Sequence, residues 1–256
     1  MVNNLLLIHP TKCAGTSISK KILELQGYSN YWSNYYSGYS FNRFFQKNIQ
    51  FFYFIFYSKN PINYLFYLIY YITCLFFHVR NSFSKHYFGL SCTQGSYQHF
   101  TYRQWQKIKT AELKICVVNH PQHRIVSSYY FLGYDKHYSF IEFLKKIKNG
   151  SLLSKIQFSG FQKIVKQHFI PMYDYIVDDD GNKKIDVILK RESLENDWYE
   201  LCNKYNLKYS PLQHINKTKK IMDWKKIYKY YPSAVNLVYE IYEKDFIAFN
   251  YKIIES

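Results

Sequence analysis

The chain opens on Leu5-Leu6-Leu7-Ile8, a fully apolar run that leads at once into a polar loop, residues 10–16. Residues 17–25 follow, with Ile18, Ile22 and Leu25 on one helical face. A run that is apolar on both faces fits a strand buried inside a parallel sheet, and the spacing after it is that of an amphipathic helix. Strand, loop and helix in that order restrict the chain to folds in which a strand hands over to a helix at the sheet's edge. The pattern returns at Leu113–Val118, a second predicted strand, with a helix beginning over 124–131.

Further along, residues 140–147 predict a short amphipathic helix. Asp178-Asp179-Asp180-Gly181-Asn182 is a turn cluster between two predicted strands, 175–177 and 185–189. Ser193 is positioned to cap a helix running to about residue 205, and a last helix covers 232–249. Strands alternating with helices indicate an α/β class with a central, mostly parallel sheet. A length of 256 residues suits one domain, 1–256.

Residues 28–94 stand apart. They hold Phe51-Phe52-Tyr53-Phe54-Ile55-Phe56-Tyr57 and then 62–77, apolar or aromatic but for Asn63 and Thr73. That second stretch is shorter than the roughly 20 residues a transmembrane helix needs, and Tyr favours membrane interfaces over hydrocarbon. Three readings stay open: an inserted pair of buried helices, docking of 50–80 on a membrane surface, and a true span. Tyr (29) and Phe (21) bring the aromatic fraction to 21%. Drift toward AT-rich codons explains such a composition, and a sugar-stacking or membrane-contact surface would use it.

The formal charge of +16 fits a polyanionic nucleotide, an anionic membrane or nucleic acid, and says nothing of fold. No helix-turn-helix, OB-fold or RNP signature supports specific nucleic-acid readout. The five cysteines (Cys13, Cys74, Cys92, Cys116 and Cys202) form no C-x-x-C pair, so neither a zinc site nor a disulfide framework is expected. A reducing compartment follows as the expectation. The N-terminus shows no basic region and no cleavage site, so no signal peptide is expected. A cytoplasmic protein, peripheral on the membrane if 50–80 docks there, is the corresponding expectation.

Four motifs carry candidate chemistry. In the first, Lys12-x-x-Gly15-Thr16-Ser17 sits between strand and helix. Amides at a helix N-terminus and the helix dipole attract anions there. Gly15 permits close backbone approach, Lys12 adds a charge, and Thr16 and Ser17 add hydroxyls. Lys precedes Gly, so this is not the G-x-x-x-x-G-K-[ST] loop of ATP-using enzymes. The second motif runs from Val117 to Tyr130, where Asn119, Arg124 and Ser127 can converge on an anion. The third is Gln98-His99-Phe100-Thr101, and the fourth is the basic loop His214-Ile215-Asn216-Lys217-Thr218-Lys219-Lys220. Cys13, at a helix N-terminus beside Lys12, is placed for a lowered pKa but has no partner base.

Taken together and in order, these motifs resemble the carbohydrate sulfotransferases that include heparan sulfate 2-O-sulfotransferase and many bacterial relatives. His9-Pro10-Thr11-Lys12-Cys13-Ala14-Gly15-Thr16-Ser17 is similar to the family's H-x-P-K-x-A-G-T-S loop, with the Pro moved one place. Gln98–Thr101 and Val118–Tyr129 sit where bacterial relatives carry K-H-x-[TS] and V-R-N-P-x-x-R-x-V-S-x-Y. Ile188–Trp198, the 216–219 loop and the pattern from Tyr242 to Tyr251 match later family segments, so the resemblance covers about 4–27 and 95–252.

The resemblance implies a P-loop-like three-layer fold, 3′-phosphoadenosine 5′-phosphosulfate (PAPS) as donor, PAP as product and no metal. Thr11, Lys12, Cys13, Ala14, Gly15, Thr16 and Ser17 would hold the phosphosulfate. Asn119, Arg124 and Ser127 would face the 3′-phosphate, and Lys217, Thr218 and Lys219 would close over the nucleotide. His99 would be the general base toward a hydroxyl of a carbohydrate or lipid-linked saccharide, with Lys12 stabilising the leaving oxygen. Asn119 stands where the family has Arg, so Arg124 or the 217–220 cluster would have to compensate; otherwise donor binding is weak or lost. An impaired relative, a basic nucleic-acid- or membrane-binding module, and another P-loop enzyme such as a nucleotide kinase are the competing readings.

Overall fold

A computed structural model describes residues 5–25, 90–91, 95–96, 99–107, 111–154, 165–212 and 223–255. The candidate insertion at 28–94, apart from Leu90 and Ser91, lies outside the described residues, as do Gln98, Lys217, Thr218, Lys219, Cys74 and Cys92.

The α/β expectation holds in its general form: a three-stranded parallel sheet is surrounded by helices. β1 (Leu5–Ile8) pairs with β4 (Leu113–Val118), and β4 pairs with β5 (Val187–Lys190), giving the order β1-β4-β5. β2 (Leu90–Ser91) and β3 (Gly95–Ser96) form a separate antiparallel pair. Register puts Ile8 opposite Cys116 and Val118 opposite Lys190. The three strands therefore end at one edge, and His9, Asn119 and Arg191 are the first residues past it. In an open parallel sheet, that carboxyl edge is where ligands bind.

α1 (Gly15–Leu25) follows β1, and α2 (Tyr102–Trp105) precedes β4. α3 (Pro121–Phe131) follows β4 with Pro121 at its first turn, where a missing N–H costs nothing. α4 (Phe140–Lys148) starts on a capping box between Ser139 and Glu142. α5 (Ser151–Ser154) and α6 (Tyr173–Ile176) are single turns. α7 (Leu194–Lys204), α8 (Trp224–Tyr230) and α9 (Ala234–Ala248) complete the chain, with a break in α9 at Tyr242.

One predicted strand is corrected. Tyr175 and Ile176 belong to α6, and Val177 only forms an isolated bridge to Lys183. Three apolar residues cannot distinguish a buried turn of helix from a strand. Here Tyr175 is fixed by donating its hydroxyl to the Gln167 carbonyl at 2.8 Å.

Two apolar cores result. One surrounds the sheet and includes Ile8, Ile115, Val117, Leu189 and Trp198. The other lies among the helices and is largely aromatic, with Tyr134, Phe140, Phe143, Tyr228 and Tyr242. Its tyrosines bury their rings and satisfy their hydroxyls on carbonyls: Tyr228 on Gln122 at 2.9 Å and Tyr242 on Phe169 at 3.2 Å. Part of the tyrosine excess is thus core. No helix among the described residues is long and apolar enough to cross a membrane.

Candidate anion site at the carboxyl edge of the sheet

The loop between β1 and α1 holds two non-glycine residues in left-handed backbone, Lys12 (φ 64°) and Ala14 (φ 59°). Each costs about 1–2 kcal/mol unless its surroundings enforce it. They do. Asn119 Nδ2 donates to the Lys12 carbonyl at 2.8 Å, and Arg124 Nε donates to the Thr11 carbonyl at 3.1 Å. Ser17 N–H closes onto the Ala14 carbonyl at 3.3 Å as α1 begins. Among the described residues no acceptor meets the N–H of Ala14 or Gly15. Strain held in place around unmet amides at a helix N-terminus is the geometry of an anion cradle.

Gly15 is required sterically. A Cβ there would lie 2.2 Å from His9 Cγ and 2.6 Å from His9 Cβ. The His9 side chain therefore packs directly against the loop at Gly15. It also meets His99 edge-on, with centroids 4.7 Å apart.

Lys12 is half-buried, and no carboxylate lies within ion-pair distance of it among the described residues. Its Nζ stands 4.0 Å from the centre of the Phe131 ring. Burial, with the Arg191 guanidinium close by, pulls its pKa down to about 8. A desolvated, uncompensated cation beside open amides is a strong attractor for an oxyanion.

His99 sits against the same loop. Its Nδ1 lies 3.0 Å from the His9 carbonyl. A carbonyl only accepts, so Nδ1 carries the proton and Nε2 of the neutral ring is left as a base. Burial pushes the ring's pKa down to about 4, with Arg124 and Lys12 adding to the effect, against the pull of the carbonyl. The ring is thus neutral at pH 7, in the tautomer a general base needs.

Several residues expected at an anion turn inward instead. Arg124 is 2% exposed, and besides Thr11 its guanidinium donates to the carbonyls of Ile170 (2.8 Å) and Gln167 (3.3 Å). To contact a nucleotide it would have to release these bonds. Asn119 is fully buried under Lys12, and Thr11 Oγ1 donates to the Gln167 carbonyl at 3.1 Å. Ser127 is buried within α3. Cys13 is fully buried against Met172, and burial raises its thiol to about 12, the reverse of the lowered pKa expected from its position. Ala14 is exposed at the loop's tip, and Thr16 and Ser17 open α1.

Sequence reasoning overlooked three residues. Asp245, buried in α9, accepts from the N–H groups of Met172 (2.9 Å) and Tyr173 (2.7 Å), and burial raises its pKa to about 6. Its carboxylate and the Arg124 guanidinium favour each other's charged forms. Arg191, the first residue after β5, points an N–H at His123 Nδ1, 2.7 Å away. His168 lies beside Lys12 and His99, stacked on Phe131. Arg191 and Asp245 fall in the 188–198 and 242–251 segments, where the motif pattern assigns them no role, and a His in a Lys- and Gln-rich stretch gives no periodic or motif signal. Glu192 accepts from His120 N–H at 2.8 Å and the Tyr251 hydroxyl at 3.0 Å. Among the described residues no group of three or more His, Cys, Asp or Glu is arranged to hold a metal ion.

No family model, no characterised protein and no solved structure matches this chain.

Proposed function

We propose that the chain is a sulfotransferase with a P-loop-like frame, moving a sulfuryl group from PAPS to a hydroxyl of a carbohydrate or glycolipid. The observation that carries this reading is the pairing of a tautomer-fixed, neutral His99 with a strained loop whose Lys12 has no carboxylate within ion-pair distance among the described residues. Many phosphate-binding loops have the second element. A base held by the loop's own carbonyl, at the residue before Pro10, adds a group able to take an acceptor's proton beside the bound anion.

The acceptor hydroxyl oxygen attacks sulfur in line. A new S–O bond forms, the bond from sulfur to the 5′-phosphate oxygen breaks, and the acceptor proton passes to His99 Nε2. Lys12 and the loop amides stabilise charge developing on the leaving phosphate. Holding the reactants in line removes much of the entropic barrier. PAP leaves, and His99 returns its proton to water. The Lys12 cation supports a dianionic leaving group better than a neutral one. Because Asn119 and Arg124 face inward, recognition of the 3′-phosphate falls to other groups, and Arg191, the first residue past β5, is a described cation at that edge.

Transfer of labelled sulfate from PAPS to a panel of saccharide and glycolipid acceptors tests the reading. His99→Ala should keep PAP affinity within about two-fold and lose turnover by about 10²–10⁴-fold, the usual contribution of a general base. Absence of transfer in the native protein, with PAP still bound, identifies a donor-binding relative without activity. ATP turnover in place of PAPS turnover identifies a kinase.

A further inference from the structure

His168 is 7% exposed, and its Nδ1 is buried with no hydrogen-bond partner among the described residues. Buried imidazoles are normally satisfied, because an unmet polar atom costs about 1–3 kcal/mol. The ring is also held firmly. The carbonyl of the preceding residue, Gln167, takes hydrogen bonds from Thr11 Oγ1, Arg124 and the Tyr175 hydroxyl at 3.1, 3.3 and 2.8 Å. Its ring stacks on Phe131 at 5.3 Å and 21°. Phe131 is the same ring that Lys12 Nζ stands over at 4.0 Å. Three anchors therefore fix an unpartnered imidazole next to the cradle's cation.

Burial keeps this ring neutral, with Lys12, His99 and Arg124 pressing the same way. A neutral imidazole always carries one N–H. Lys12 shares the Phe131 ring with it, and the side-chain amide of the preceding residue, Gln167, donates to the His99 carbonyl at 3.4 Å, so Lys12 and His99 both stand near this imidazole. We infer that His168 is a further binding residue of this site, donating its ring N–H to an oxygen of the sulfuryl group that Lys12 and His99 flank. The assignment rests on the sulfuryl-transfer reading for the identity of the anion, and on geometry alone for the existence of the contact. It separates two ends of the donor: Lys12 and the loop amides hold the phosphate that leaves, and His168 holds the group that moves.

The probe is sodium sulfate, titrated into the full chain at constant ionic strength while histidine ring nitrogens are followed by NMR. Saturable movement of the His168 ring signal is expected. His168→Phe preserves the stack on Phe131 and should weaken sulfate binding at least about ten-fold, the effect of losing one hydrogen bond to a charged group. His168→Gln, which restores an N–H, should recover part of that affinity and serves if the Phe variant does not fold. PAP lacks the sulfuryl group, so its affinity should be unchanged in both variants while the kcat of transfer falls. Sulfate that binds wild type and His168→Phe equally, or that leaves the His168 signal unmoved, overturns the inference. Failure of transfer from PAPS with the sulfate effect intact removes the activity and leaves the contact; normal kcat in His168→Phe removes the contact and leaves the activity.

Discussion

The junctions after β1 and β4 lie side by side at the sheet's carboxyl edge, and each joins a strand end to a helix through polar residues. After β1, two residues hold left-handed backbone, and among the described residues Lys12 has no carboxylate within reach and the amides of Ala14 and Gly15 face no acceptor. After β4, the side chains of Asn119 and Arg124 are turned inward, onto the carbonyls of Lys12, Thr11, Gln167 and Ile170. One junction is left under-satisfied and strained. The other is fully engaged in holding it that way. A buried arginine bonded to carbonyls adds little net stability by itself, so its value lies in fixing the loop.

Variants at the two junctions should therefore fail differently. The largest effect is expected at Arg124. Arg124→Met leaves Asp245 without its nearest cation and three carbonyls short of a donor, and should cost about 3–5 kcal/mol in chemical denaturation. A variant that melted like wild type would mean that the second junction supports nothing. Gly15→Ala comes next: the His9 ring must move to admit the new methyl group, which should cost about 1–3 kcal/mol and displace His99. The readout is thermal melting together with the His99 ring signal in NMR. An unchanged melting temperature with His99 unmoved would show that His9 is not packed on the loop.

The smallest expected effect has the opposite sign. Because the pKa of Lys12 falls from 10.5 to about 8 on folding, the unfolded chain binds more protons between those values. Stability contributed by this group therefore rises with pH across that window, and at pH 7 the charged side chain is a net burden. Lys12→Met removes the burden and keeps contact with Phe131 through its sulfur. The unliganded variant should gain about 1 kcal/mol, after allowance for partial solvent screening, or a few degrees in Tm.

How far the sequence disclosed this arrangement depended on the kind of signal. β1 and β4 were legible because both faces of each strand are buried, and the cradle because Lys, Gly and hydroxyl residues follow a strand directly. The inward turn of Asn119 and Arg124 was not legible. Polar side chains at a strand end suit a ligand or a neighbouring carbonyl equally well, and only the strained loop beside them decides between the two. His168 was invisible for a related reason: it is placed by three donors converging on the carbonyl of residue 167, and donors that far apart in sequence leave no local pattern. The reading of 175–177 as a strand failed because the run is too short for periodicity to operate. The 28–94 and 217–219 expectations fall outside the described residues.

Calorimetric titration of PAP into the wild-type protein and Lys12→Met, alongside their melting curves, tests the central claim most directly. The account predicts that the variant is at least as stable as wild type when unliganded and binds PAP at least about ten-fold more weakly, having lost a charge-assisted contact to phosphate. Equal PAP affinity in the two proteins would contradict it and would place the anion site somewhere other than the loop after β1.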